Sequence, residues 1–308
     1  MLGRVKFVLG VWMCCSFGVY QAMAQQNNPS EKTAALNRDQ DSLIRISTAV
    51  VNATENTIRF EHNALFIKTL VNALKTPGSF NFGFDSLKNV AHVVSPDKTF
   101  KIFSWYVPTN EGGYRFFGAI QLNTKDGQLK LFPLIDETGS FKDTNLISDN
   151  KKWFGARYYA IVPVVNSGKQ TYYALLGWKG NTSKTTKKVI EILSFNNGLP
   201  VFGKAVFEGL KGSPIQNRMV FEYHKLNSMT LRLDKVLNMI VFDHLVPFDP
   251  AMVGNFEYYA SDSTFDAYRL LGGKLKFVEN VEPKNDPDAK DELYIDPKNK
   301  NIPATRKF

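Results

Sequence analysis

The sequence predicts a mainly β fold, an antiparallel meander that is propeller-like or two-layered, preceded by an N-terminal α-helical pair. Three observations lead there. The apolar period falls from about 3.6 to 2 near Val90, aromatic and branched residues dominate from there to about Asn280, and short Gly/Asn/Asp turns recur between the runs. With 308 residues, 44% hydrophobic and 22% charged, the chain has the composition of a globular protein, which excludes collagen, coiled coil and general disorder.

The first residues read as an export signal. Arg4 and Lys6 form a short positive region, and an apolar stretch from Phe7 to Val19 follows. Ala22-Met23-Ala24 then offers the small-x-small pattern that a signal peptidase cuts, so residues 1–24 are expected to leave and Gln25 to become the first mature residue. The 13 residues of the apolar stretch fall short of the roughly 20 needed to span a bilayer. An uncleaved anchor is the competing reading. Cys14 and Cys15, the two cysteines, both lie in this leader. The mature chain therefore has no thiol nucleophile, disulfide framework or zinc–thiolate site, and apolar packing must hold it together.

Residues 25–78 read as helical. Leu43, Ile46, Val50 and Val51 mark a first helix, with a break near Asn52–Thr57. In the second helix Phe66, Leu70 and Leu74 recur at i, i+4 and i+8, beside Ile67 and Val71, and Pro77-Gly78 ends it. Two such helices need a surface to cover, and the following sheet provides one.

Residues 79–280 form the expected β domain. Its runs include Phe100–Val107, Tyr114–Leu122, Ala156–Val165, Thr171–Trp178, Val189–Phe195, Arg218–His224, Met239–Val246, Thr264–Leu271 and Lys274–Val278. Turns at Asn166-Ser167-Gly168, Asn196-Asn197-Gly198 and Gly272-Gly273 reach positive φ at low cost, which favours hairpins. Phe100–Val107 and Tyr172–Trp178 are apolar on both faces, so each must be covered twice. No repeat recurs at a fixed spacing. Residues 281–308, with four prolines among balanced charges, are expected to form a polar, Pro-rich tail.

The net charge is +9, of which Arg4 and Lys6 contribute two. No run of five or more Lys/Arg occurs, and the basic balance reads as a solvated surface rather than a nucleic-acid interface. No metal site or cofactor is expected, because the four histidines lack ligand spacing and no phosphate loop, nucleophile elbow or zinc motif occurs.

Two sets of candidates remain. Glu222 and His224 share one face of their strand, with Thr230 and Arg232 on the polar face of the next. If those strands pair, the four make a cluster in which an acid orients an imidazole. Asp243-His244, with Asp249 beyond Pro247, is the other acid–imidazole candidate; His244 falls on the face of Ile240 and Phe242, which argues for partial burial. The bland alternatives are a salt-bridged outer face and a satisfied core histidine. Asp136-Glu137 reads as an acidic turn explained by solvent alone. Among the aromatics, Tyr106, Trp153 and Tyr258 are candidates to edge a binding groove, against the competing reading that such rings simply fill a core.

Several runs share wording with known proteins: FGFDSL (Phe82–Leu87), FKIFSW (Phe100–Trp105), YRFFGAIQ (Tyr114–Gln121), LFPLID (Leu131–Asp136), WFGARYY (Trp153–Tyr159), YYALLGWKG (Tyr172–Gly180) and IVFDHL (Ile240–Leu245). Across residues 60 to 280 the chain resembles a family of exported β-rich proteins of Bacteroidota-type Gram-negative bacteria. The resemblance implies export and a β-rich fold, and assigns no activity or site residue. The expectation is an exported periplasmic, outer-envelope or extracellular protein that crosses no membrane again and serves as a non-catalytic binding or structural module for a protein, peptide or glycan. The alternative is a periplasmic hydrolase using Glu222, His224, Asp243 or His244.

Overall fold

A computed structural model describes residues 29–165 and 171–284. The expected leader, both cysteines, the turn at 166–168 and the tail beyond Lys284 lie outside the described residues. Two helices lead, α1 (Pro29–Asn52) and α2 (Asn56–Leu74), and antiparallel sheets follow. The contacts divide the chain into two compact units. Met1–Ser140 with Asn150–Tyr159 make the first, and Phe141–Asp149 with Ala160–Phe308 the second. The β region expected over residues 79–280 is thus shared between both. No helix among the described residues is long and apolar enough to cross a membrane, which leaves crossing by strands unaddressed.

In the first unit, Pro29 opens α1, where its missing N–H costs nothing. Leu36, Leu43 and Val50 recur every seven residues along α1 and are buried, as are Phe66, Leu70 and Leu74 of α2. Of these, Leu36 and Leu43 with Phe66, Leu70 and Leu74 pack with Phe103 and Trp105 of the sheet into one core. Ile67, expected in the stripe, is 36% exposed, because a straight helix turns it out beyond the arc that its neighbour covers. Gly78 takes φ +90°, as the Pro77-Gly78 stop requires, and a short 3₁₀ turn follows.

The covered sheet runs in the order β1 (Ala91–Val94), β2 (Phe100–Pro108), β3 (Tyr114–Leu122), β4 (Lys130–Ile135), all antiparallel. β2 is buried along both faces, as its two-sided apolar pattern demands. Ser104, on the face opposite Phe103, accepts a hydrogen bond from the Tyr158 N–H at 2.9 Å. Asp136 was expected in a solvated turn, yet it is 4% exposed. Its Oδ2 accepts from Phe116 N at 2.8 Å and its Oδ1 from Thr138 N at 3.0 Å, so backbone donors replace the water it gives up.

The second unit contains two sheets. One is ordered β5 (Ser148–Asp149), β9 (Leu199–Phe202), β8 (Thr185–Asn196), β7 (Tyr172–Gly180), β6 (Arg157–Val164), with β11 (Arg218–His224) also paired to β8. The other runs β10 (Phe207–Glu208), β15 (Lys274–Val278), β14 (Tyr259–Leu271), β13 (Met239–Pro247), β12 (Leu231–Asp234), with a parallel β10–β15 contact as its exception. Ala174, Leu176, Ile190, Ile192 and Tyr223 from the first sheet share one core with Leu231, Ile240, Phe242 and Tyr268 from the second. This unit therefore takes the two-layer form. Asn197 and Gly198, at φ 49° and 76°, make the two-residue turn joining β8 to β9, and Gly272-Gly273 does the same for β14 and β15.

Candidate functional site

The four titratable candidates do not come together at one site. β11 does not pair with β12, as the Glu222–Arg232 cluster requires; it pairs with β8, while β12 pairs with β13 in the other sheet. The connection after His224 crosses between layers because Tyr223 and Leu231 must both enter the shared core. Glu222 sits opposite Lys187 and forms an ion pair with it at 3.0 Å. Its other oxygen accepts from Asn181 Nδ2 at 2.9 Å and Thr185 Oγ1 at 2.7 Å, so the carboxylate braces the β7–β8 turn. The His224 ring caps its own turn, with Nδ1 accepting from Leu226 N at 3.2 Å.

His244 corrects the expectation of partial burial beside Ile240 and Phe242. The register of β13 against β14 shifts between Asp243 and Leu245, and this bulge turns the imidazole outward to 46% side-chain exposure. Its partner is Asp266, across the ladder at 2.8 Å, rather than Asp249. Asp249 instead caps the turn at Pro250–Met252 through the Ala251 N–H. Asp243 is 7% exposed, and its Oδ1 has no hydrogen-bond partner among the described residues. Burial raises the Tyr223 hydroxyl to about 12, with the Asp243 charge adding to the effect. Burial also lowers the Lys188 ammonium, while Asp243 pulls it the other way. Asp243 thus belongs with inner-layer groups, Glu222 and His224 alternate to the outer face of the opposite sheet, and His244 faces solvent.

The aromatic candidates also separate. Trp153 is fully buried and its Nε1 donates to Tyr158 Oη at 2.9 Å, so it cannot edge a groove; the backbone bridge between Asp136 and Trp153 draws the ring into the core. Tyr258 is 37% exposed on a 3₁₀ turn, with Phe248 (67%) joined to it by the hydrogen bond from Phe248 N to Tyr258 O. Tyr106 lines a pocket.

That pocket, of about 190 Å³, lies in the first unit where α1, α2 and β2 meet. Val50, Phe66, Val90 and Trp105, each 6% exposed or less, form its apolar interior. Tyr106 follows Trp105 on β2, half-buried, with its ring edge-on to Tyr114. The helix pair is held in place above this strand by Arg59. Its Nε donates to Ala53 O at 2.9 Å and its Nη1 to Asn110 Oδ1 at 2.6 Å, which ties the start of α2 to the β2–β3 turn. Beside Tyr106, the polar residues of the pocket are Ser47, Asn63, Lys88, Asn89 and Arg157. Asn63 is 2% exposed and accepts from Trp105 Nε1 at 2.7 Å. Arg157 donates from Nη2 to Lys88 O at 3.1 Å, and its Nε is buried without a partner. Apolar and polar residues line the pocket in similar measure, so it offers an apolar wall on one side and hydrogen-bonding and charged groups on the other.

Reasoning from the sequence found Tyr106 and missed the rest. The available signal was Asn63, a polar residue on the apolar stripe of α2, three residues before Phe66 and seven before Leu70. Among the described residues no group of three or more His, Cys, Asp or Glu could hold a metal ion. In comparisons with known proteins the chain matches no family model, no curated protein and no solved structure.

Proposed function

We propose that the chain is an exported, non-catalytic binding module whose ligand enters the pocket beneath the helix pair. One observation carries the reading. A hollow open to solvent is lined by Val50, Phe66, Val90 and Trp105 together with the buried amide of Asn63, and by Lys88, Arg157 and Tyr106. Packed interiors rarely leave such a volume, since each lost contact is unfavourable unless something fills the space. The leader pattern, the thiol-free mature sequence and the wording shared with exported β-rich proteins support placement outside the cytoplasm. Glu222, His224, Asp243 and His244 do not come together at one site, and this weakens the hydrolase alternative that depends on their meeting.

The test uses thermal melting of the protein and of Val51→Trp with panels of peptides, oligosaccharides and small organic acids. Val51 lines the pocket and is 54% exposed, so a larger ring there obstructs entry while leaving the core intact. A ligand at 100 times its dissociation constant adds about 2.7 kcal/mol to the unmodified protein. That shift is expected to vanish in Val51→Trp. A panel in which no compound distinguishes the two proteins overturns the reading.

A further inference from the structure

We infer that this pocket takes a compact organic carboxylate, with its apolar group against Phe66 and Trp105 and its negative end at Arg157 and Lys88. The inference rests on the reading that the pocket binds a ligand, and it names the class.

The charge balance points to an anion. Arg157 and Lys88 both line the pocket, and neither forms an ion pair with an acid among the described residues. Arg157 is held by its Nη2 bond to Lys88 O, which sets the guanidinium against the Lys88 segment. Its Nε is buried and unpartnered. A guanidinium has five donors in a fixed fork that matches a carboxylate, and a partly desolvated cation without a counter-charge is costly to keep. A ligand carboxylate supplies that counter-charge.

The interior points to an apolar body. Val50, Phe66, Val90 and Trp105 make one wall of the pocket apolar, where a group of a polyanion or a hydrated sugar would lose water with little compensation. A cavity of about 150 Å³ holds benzene, so a pocket of about 190 Å³ fits one ring or a branched alkyl group beside a carboxylate.

Asn63 refines the match. The indole N–H of Trp105 only donates, so the Asn63 oxygen must face it, at 2.7 Å. The amide nitrogen is thereby left as a donor, and it forms no hydrogen bond among the described residues. This side chain is 98% buried and lines the pocket. An acceptor on the buried end of the ligand, such as a phenolic oxygen, completes it. The free acid and the C-terminal residue of a peptide present the same carboxylate-plus-side-chain chemistry.

The experiment is calorimetric titration of the full chain with 4-hydroxyphenylacetate, its primary amide and phenylacetate. Two peptides ending in tyrosine, one with a free and one with an amidated C-terminus, form the second arm. The acid is expected to bind at least tenfold tighter than its amide, and more tightly than phenylacetate. Lys88→Gln, at an exposed position that leaves the core untouched, and Arg157→Gln are each expected to weaken the acid several-fold and leave the amide unchanged. Peptide binding that requires the free C-terminus identifies a chain end as the source; binding of the free acid alone identifies a small metabolite. Either supports the inference. Equal binding of acid and amide, or Lys88→Gln and Arg157→Gln affecting both alike, overturns the carboxylate assignment while the pocket remains a binding site. If none of these acids or peptides binds but another class melts differently with Val51→Trp, the inference fails and the binding reading stands.

Discussion

At the scale of single residues, burial of charge has the largest consequences. Arg218 and Glu191 are both fully buried in the second unit. The Arg218 Nε donates to Glu191 at 2.5 Å, and Nη1 donates to Leu146 O at 3.2 Å and to Thr144 O. Arg218→Met removes the guanidinium that meets the buried Glu191 carboxylate, and is expected to cost about 3–5 kcal/mol in urea unfolding. A loss below about 1 kcal/mol would show that Glu191 finds another partner. Lys101 is a buried cation without that pairing. Its Nζ donates to Phe82 O at 2.8 Å and lies 5.5 to 5.8 Å from the rings of Phe80, Phe84 and Phe103. Burial lowers its pKa from 10.5 to about 8, opposed by the Asp85 charge. The folded protein gives up this proton before the unfolded chain does. Stability relative to Lys101→Met is therefore expected to rise as pH goes from about 8 to 10.5, by on the order of 3 kcal/mol at most. Below pH 8 the penalty is present in full, and a flat difference across the window would count against it. His244, by contrast, is half exposed, and its buried partner Asp266 also accepts from Asn280 N at 3.2 Å, so His244→Ala should cost only about 1 kcal/mol in melting free energy.

At the scale of elements, close backbone approach decides what a strand tolerates. Gly118 of β3 sits opposite Ser104 of β2, and an added Cβ would lie 2.8 Å from Phe103 O and 3.0 Å from Leu134 Cδ1. Gly118→Ala is expected to cost about 1–3 kcal/mol, because the clashing atom is backbone and cannot swing away. Gly139→Ala, with nothing within 4 Å, serves as the neutral control. Equal effects at the two positions would contradict the β2–β3 packing. Elements also show where periodicity succeeds. Phe66, Leu70 and Leu74 announce α2, and Asn197-Gly198 announces the β8–β9 hairpin, because each is a local requirement of the backbone. The outward turn of His244 had no such signal. It follows from a bulge, which depends on how β13 registers against β14.

At the scale of the whole molecule, the two cysteines, Cys14 and Cys15, are adjacent near the N-terminus, so residues 16–308 must be held together without disulfides among themselves. The chain starting at Gln25 is expected to melt at the same temperature with and without reductant, and exported material should show that N-terminus by intact mass. A mature form retaining residues 1–24 would remove the export reading. The two-faced strands foretold double coverage, and the second unit meets it with a two-sheet core. The two-unit division was not legible, because β runs alternate in the same way whichever sheet they join. The same limit hid most of the pocket. Tyr106 stands out locally, whereas Arg157 reaches Lys88 across 69 residues of chain and Asn63 reaches Trp105 across 42.

What the sequence by itself determined is whatever a residue imposes on its neighbours in the chain: the helix stripes, the alternating strands, the glycine turns and the absence of thiols after Cys15. Only the tertiary structure decided strand partners, the burial of Trp153 and Asp136, the outward turn of His244 and the meeting of Asn63, Arg157 and Tyr106 around one hollow. The physical reason is that periodicity encodes which face is apolar and not which other face will cover it. Pairing between distant segments depends on packing summed over a whole layer.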